Sequence, residues 1–445
     1  MDEELEELLE SCGFYDELCV VPEDSSQKNN NFIAQFLGTQ KQIQAALTRP
    51  AYYGDLLAWA LQRYIESAGW RIANVTGLSG RVPRYTSVNT DYGRHESVLC
   101  YGYLLLQKRN SRVVACIRVI PMQEASLVML SRSKKEAYSF AQGVDETAQG
   151  QNMYQGKKLE FARHIRFLKL PSKNWDDLTL DSTVKYDIQA NTVGFLNRLP
   201  ELAGYGIPPK RGVILVGEPG TGKTLICKTL INHSPEITCI VAYQGALGDS
   251  TYIYNLYELA QDLAPSIVFI EDIDLVGQDR EESNYCRGEG LFTLLKALDG
   301  VEECDRVVTV ATANSLETLD KALRERPSRF DRIIQLLPPS LEQRKEFIQS
   351  LSQRIPMDED AQDYLARWTE GYTPAQIQEL AYSLAIEHKH RPGCNELGHC
   401  KFDVEEVKNV LSRRNKKNKV IGFRKLSDNG NGSGVNTISQ SRIKA

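Results

Sequence analysis

The chain has 445 residues, of which 42% are hydrophobic and 25% charged, with a formal net charge of −5. That length holds two or three domains with cores of their own, and the composition is that of an ordinary globular protein rather than a dedicated nucleic-acid binder. No apolar run approaches the roughly 18 residues that cross a bilayer, the N-terminus is acidic where a secretory signal is basic, and the ten cysteines form no disulfide-like framework, so a cytoplasmic protein with reduced thiols is expected.

Residues 1–27 carry ten acids and no Lys or Arg. They read as a solvated acidic arm (1–30), with a docking helix carrying Leu5, Leu8 and Leu9 as the alternative. From 31 to 165 the chain reads as an α+β N-terminal domain. Leu56, Leu57, Ala60, Leu61, Tyr64 and Ile65 have helical spacing over Asp55–Ser67, and Val98–Gln107 and Val113–Ile120 read as strands joined by a polar turn. No catalytic constellation occurs in this part, and recognition or docking is its default role.

From 166 to 339 strands and helices alternate, with strands near 213–216, 237–242, 266–270, 306–311 and 332–336. That pattern predicts a largely parallel sheet covered by helices. Helical segments near 341–353, 359–369, 374–389 and 402–413 predict a small all-helical domain over 340–413. Residues 414–445 read as a flexible tail that is first basic and then polar.

The most specific signal is Gly217-Glu218-Pro219-Gly220-Thr221-Gly222-Lys223-Thr224, a complete phosphate-binding loop between a strand and a helix. The glycines let successive N–H groups point at phosphate oxygens, Lys223 reaches the β- and γ-phosphates, and Thr224 offers a hydroxyl to magnesium. A glycine-rich turn without a ligand is the bland alternative, and the strand and helix around the loop disfavour it. Downstream, the strand Ser266–Ile270 ends in Glu271-Asp272-Ile273-Asp274. Acids at the carboxyl end of a strand face the ligand crevice of such sheets, which makes Glu271 and Asp272 candidates for the metal shell and for water activation. Asn314, after the next strand, can hold the attacking water, although such an Asn is more often a turn residue. Arg324-Glu325-Arg326-Pro327-Ser328-Arg329-Phe330-Asp331-Arg332 reads from its letters alone as a solvated charge run, the alternative being arginines that face another molecule's phosphates.

Taken together, these pieces resemble the AAA+ ATPases, in particular the AAA branch that contains the proteasomal and membrane-protease ATPases. Trp175-Asp176-Asp177-Leu178, Gly217–Thr224, Ile270–Asp274, Asn314, Arg326–Arg332 and Gly371-Tyr372-Thr373 carry the resemblance, which covers about 175 to 413. It implies an α/β P-loop module with a C-terminal helical lid, ATP and Mg2+ as cofactors, and a homo-oligomer, commonly a hexameric ring with ATP between neighbours. It further implies nucleotide contacts from Asp177, Leu178, the loop with Leu225, and Gly371, a metal site of Thr224 and Glu271, and Asn314 as the sensor. Lys223, Glu271 and Asp272 complete the catalytic set, with Arg326 and Arg329 as the fingers that reach a neighbour's γ-phosphate.

Three departures stand out. The acidic pair is Glu then Asp, the reverse of most of the branch and similar to the mitochondrial AAA proteins that assemble a respiratory complex. One extra residue precedes Arg326, so Arg324 can share the finger role. Ala246-Leu247-Gly248 has the glycine of the threading triplet and no aromatic. The expected function is an ATP-hydrolysing remodeller or assembly chaperone of an unidentified protein client, with no nucleic acid and no membrane span. A nucleotide-regulated scaffold with slow, incidental hydrolysis is the alternative.

Two weaker signals remain. His388, His390, Cys394, His399 and Cys400 have a loose metal-ligand spacing that matches no common finger, and a metal-free loop is the preferred reading. Arg413, Arg414, Lys416, Lys417, Lys419, Arg424 and Lys425 read as a solvated helix end and tail, since no aromatic series accompanies them; contact with a nucleic acid or an acidic partner, including the first 27 residues of a neighbour, is the alternative.

Overall fold

In a computed structural model, the structure describes residues 27–78, 81–121, 123–150, 152–162, 164–275, 293–296, 298, 305–317, 330–388 and 401–417. The chain divides into two compact units, Met1–Pro338 and Pro339–Ala445.

Among the described residues the first unit holds two sheets. The strands are β1 (Ile43–Arg49), β2 (Arg71–Thr76), β3 (Arg84–Asp91), β4 (Arg94–Lys108), β5 (Ser111–Arg118), β6 (Ala125–Ser131), β7 (Lys158–Phe161), β8 (Ile165–Phe167), β9 (Lys210–Val216), β10 (Thr238–Ala242), β11 (Ser266–Ile270), β12 (Val307–Ala313) and β13 (Arg332–Gln335). Its principal helices are α1 (Gln27–Leu37), α2 (Gly54–Ser67), α3 (Lys134–Gln149), α4 (Ser182–Asn191), α5 (Lys223–Asn232) and α6 (Ser250–Asp262).

The first sheet is antiparallel, in the order β1-β6-β5-β4-β2, with β3 also paired to β4. The expected helix and hairpin are present as α2, β4 and β5, and the hairpin turns at Arg109 with φ 51°. Period-2 alternation gives this sheet two apolar faces. Leu104, Leu106, Val113, Ala115, Ile117, Leu127 and Met129 point to the side that α2 and α3 cover. Tyr103, Leu105, Val114, Cys116, Val128 and Leu130 point to the other side, where Ile33 and Leu37 of α1 pack.

The second sheet runs β13-β9-β12-β11-β10-β7-β8, parallel throughout except for the β7–β8 pair. The five strands expected from the alternating pattern all belong to it. The β7–β8 hairpin joins the same sheet, so the chain passes from the first sheet to the second before Lys158, ahead of residue 166. Lys158 lends itself to this place. Its ammonium donates to the carbonyls of Ser234 and, at 2.7 Å, of Ile237, capping the turn that leads into β10. Val213, Leu215, Ile267, Phe269, Val308 and Val310 pack against Ile226 and Leu230 of α5 on one face. On the opposite face, Ile240, Val268 and Ala311 share one core with Leu256 and Tyr257 of α6 and with the helices beneath the first sheet.

That shared core has a polar seam. Tyr52 donates to Glu258 Oε2 of α6 at 3.0 Å, and Arg49 donates to the buried Asp145 Oδ1 at 2.5 Å. Asp262, at the end of α6, has its carboxyl pushed up to about 6, first by burial and then by Glu258, with Arg49 opposing. Beside it, the Phe161 ring of β7 stacks on Tyr252 with centroids 5.1 Å apart, and Tyr252 donates to Phe161 O at 2.6 Å.

The second unit contains α7 (Leu341–Ser352), α8 (Glu359–Trp368), α9 (Pro374–His388) and α10 (Val404–Lys417), as the helical spacing predicts. Ile348, Leu365, Ile377, Leu384 and Val407 form its core. Ser340 and Gln343 form a capping box that starts α7.

Candidate nucleotide site

β9 delivers the chain to the glycine loop and α5 carries it away. Gly220 (φ 88°) and Gly222 (φ 101°) adopt left-handed conformations that side-chained residues resist. Thr221 closes the turn, its N–H and its hydroxyl both donating to Glu218 O, at 3.2 and 2.9 Å. Gly217 N–H donates to Ala313 O at 3.2 Å, tying the loop to the end of β12. A Cβ on Gly217 would sit 2.7 Å from Leu336 O, so the loop also lies tightly against the chain after β13.

Lys223 is buried, and its Nζ donates to Gly217 O at 2.6 Å and to Asn314 Oδ1 at 2.9 Å. Burial lowers its ammonium pKa, and the charges of Asp272 and Asp274 oppose that shift. Asn314 is held from the other side, since Asp274 Oδ2 accepts from its backbone N–H at 3.2 Å and from its Nδ2 at 3.3 Å. The amide therefore turns its oxygen to the lysine and its nitrogen to the acid.

Asp272 occupies a left-handed conformation with φ 49°, and its N–H donates to Thr312 Oγ1 at 2.9 Å. Asp tolerates that region better than longer or branched side chains do. This gives a local reason for the order Glu271-Asp272, because the position that must turn left-handed carries the shorter acid. Lys223, Asn314 and Asp274 thus form one network at the ends of the neighbouring strands β9, β12 and β11, with Glu271 and Asp272 leaving β11 beside it. Thr224 is exposed in the first turn of α5 and Leu225 is half-buried there. Thr224, Glu271 and Asp272 offer only oxygen donors, a set that suits magnesium.

The other expected residues show these local surroundings. Asp177 Oδ2 accepts from Asn174 N–H at 2.9 Å within its own turn, and Leu178 is buried in the core that α5 shares with the second sheet. Gly371, with φ 76°, belongs to the second unit. Arg324, Arg326 and Arg329 lie outside the described residues, as do the acidic arm through residue 26 and the tail beyond 417. The side chains of the His388–Cys400 set lie outside them too, and among the described residues no group of three His, Cys, Asp or Glu is arranged to hold a metal. Leu247 of the threading-like triplet is buried, whereas Tyr243 is exposed. Two residues were missed in the sequence. Thr312 reads there as one more strand residue, and Asp274 as the tail of an acidic run, although it sits three positions after Glu271 behind the buried Ile273.

Residues 213–337 match the model of the ATPase family associated with various cellular activities (AAA). The protein SAV of Sulfolobus acidocaldarius is 34% identical over 232 residues, 49% of this chain and 29% of that protein. A proteasome-activating nucleotidase of Sulfurisphaera tokodaii is 38% identical over 186 residues, 39% of this chain and 47% of the relative. The Cell division cycle protein 48 homolog of Archaeoglobus fulgidus is 36% identical over 197 residues, 42% of this chain and 26% of the relative. The matched stretches span between 26% and 56% of the length of the curated relatives. The chain carries an AAA ATPase domain, the family its motifs resemble. Among the described residues no helix is long and apolar enough to cross a membrane.

Proposed function

We propose that this protein binds ATP, hydrolyses it within a homo-oligomeric ring, and uses the turnover to remodel, assemble or disassemble another protein that residues 31–165 recognise. The observation that carries the reading is the Lys223–Asn314–Asp274 network, which joins the phosphate-loop cation to a sensor-like amide and a buried acid. A loop that only held phosphate would not need the amide and the acid braced behind it.

In this reading Lys223 presents its ammonium to the β- and γ-phosphates, and Asn314 positions the attacking water. Asp272 takes up the proton of that water. Thr224 and Glu271 would hold magnesium, which when bound neutralises charge on the phosphates. Asp177, Leu178 and Gly371 contact the nucleotide, and Arg326 and Arg329, with Arg324 available beside them, reach the γ-phosphate of a neighbouring subunit, commonly in a hexamer. Similarity to a relative named for nucleotide cleavage and proteasome activation supports coupling of turnover to work on another protein.

The test is turnover measured against protein concentration, with and without candidate protein clients. Turnover that rises with oligomer formation and with client supports the reading; flat, slow turnover under both conditions replaces it with a nucleotide-regulated scaffold. Asp272→Asn is expected to retain ATP binding while hydrolysis falls by ~100-fold or more, the usual effect of losing a general base. Parent-rate turnover in that variant would remove Asp272 from the mechanism.

A further inference from the structure

The sheet face that α1 shares carries a polar row that the nucleotide site leaves unused. Register places Arg84 of β3 opposite Tyr101 of β4, Tyr101 opposite Arg118 of β5, and Arg118 opposite Ser126 of β6. The Arg84 guanidinium lies 5.2 Å from the centroid of the half-buried Tyr101 ring, which packs against the cluster under α1. Arg118 donates to Gln123 Oε1 at 3.4 Å, and among the described residues neither arginine has a carboxylate partner. Two strand spacings set the arginines about 10 Å apart with an aromatic ring between them.

The charge around this row is lopsided. Residues 28–149, which hold the first sheet and its helices, contain 15 Lys and Arg against 8 Asp and Glu, in a chain whose net charge is −5. The complementary charge lies immediately upstream, in the ten acids and no cations of residues 1–27, interleaved with Leu5, Leu8, Leu9 and Phe14. That segment is continuous with α1, whose far end is fixed at the opposite end of β5, where Arg112 donates to Phe36 O at 2.8 Å. An extended chain covers ~3.3 Å per residue, so the arm reaches every part of this face, and covalent attachment keeps its local concentration high.

We infer that the acidic arm, residues 1–27, docks on this sheet face of its own chain, its carboxylates pairing with Arg84 and Arg118 and its apolar residues lying against Tyr101. Covalent attachment favours this occupant over a nucleic acid, whose bases also stack on aromatic rings but which arrives only at its solution concentration.

The experiment uses the full chain with a photo-crosslinking phenylalanine analogue at position 14. The expected crosslink joins position 14 to peptides containing residues 84–101 or 111–126 of the same chain, as judged in a mixture of isotopically light and heavy protein. Arg84→Glu/Arg118→Glu is expected to reduce its yield by about tenfold or more, since a few exposed ion pairs sum to ~1.4 kcal/mol. Salt on the order of 0.5 M, where the Debye length is about 4 Å, does the same. Replacing the acids at 2, 3, 4, 6, 7 and 10 by their amides leaves the folded face untouched and gives the same loss. The inference is overturned by a crosslink elsewhere, by one joining two chains, or by one insensitive to both sets of substitutions. It is likewise overturned if the arm is not crosslinked there and a labelled single-stranded RNA binds the full chain through Arg84 and Arg118.

Discussion

The two sheets of the first unit present their chemistry in different places. In the second, the parallel strands β9, β12 and β11 bring their carboxyl ends to the same edge, so the glycine loop, Glu271, Asp272 and Asn314 leave neighbouring strands side by side. In the first, antiparallel strands send successive turns to opposite ends, and what the sheet can offer is a face, with Arg84, Tyr101 and Arg118 in a line across it. The parallel sheet is suited to holding a small ligand at a rim, and the antiparallel one to lying against a chain. They meet at α6, which shares one core with both, so the contrast can be tested by altering either sheet or the seam.

Asn314→Ala attacks the rim alone and carries the largest expected effect. Losing one preorganised polar group of this kind costs ~100- to 1000-fold in turnover, about 2.7–4 kcal/mol. ATPase assays should show that loss while thermal unfolding of the first unit changes little. An equal loss of stability would mean that the network serves the fold before the chemistry.

The seam comes next. Because Asp262 has its carboxyl pushed up to about 6 from an ordinary 3.8, the native state binds that proton more tightly than the unfolded chain does. The cost of the charged form is present above about 6 and disappears as the pH falls below the ordinary value. It is at most about 3 kcal/mol at neutral pH. Asp262→Asn should therefore stabilise the protein at pH 7.5, with a gain that shrinks towards pH 4, read by denaturant titration at both values. A gain independent of pH would remove the charge from the explanation. Tyr52→Phe, which deletes only the hydrogen bond to Glu258, should cost about 1 kcal/mol and leave turnover per folded molecule unchanged. A larger drop in turnover would show that the first sheet acts on the rim through α6.

Much of the rim was legible in the sequence because its chemistry needs particular residue types at fixed spacing. Gly217–Thr224 is readable as a string, and so is an apolar strand that ends in Glu271-Asp272. Asp274 and Thr312 were not, since their roles depend on β11 and β12 lying side by side, a relation 40 residues apart in the chain. The first sheet was legible only as one helix and one hairpin. Of its other strands, β2 and β3 are largely exposed, β6 is buried on both faces and so shows no alternation, and α1 and α3 carry enough polar residues to blur the helical period. The β7–β8 hairpin gave the weakest signal, at four and three residues, because its identity as part of the second sheet comes from pairing with β10 rather than from its own letters.

That pairing limits how the molecule can be divided. β7 covers the outer backbone rim of β10 through four parallel partners, from Lys158 opposite Cys239 to Phe161 opposite Ala242. An ATPase module excised at the start of its recognisable motifs, near Trp175, would bare those amides and carbonyls, and an open strand edge is a template for pairing with other chains. In this protein the segment before the motifs acts as a selvedge, the finished border that keeps the sheet from unravelling into its neighbours.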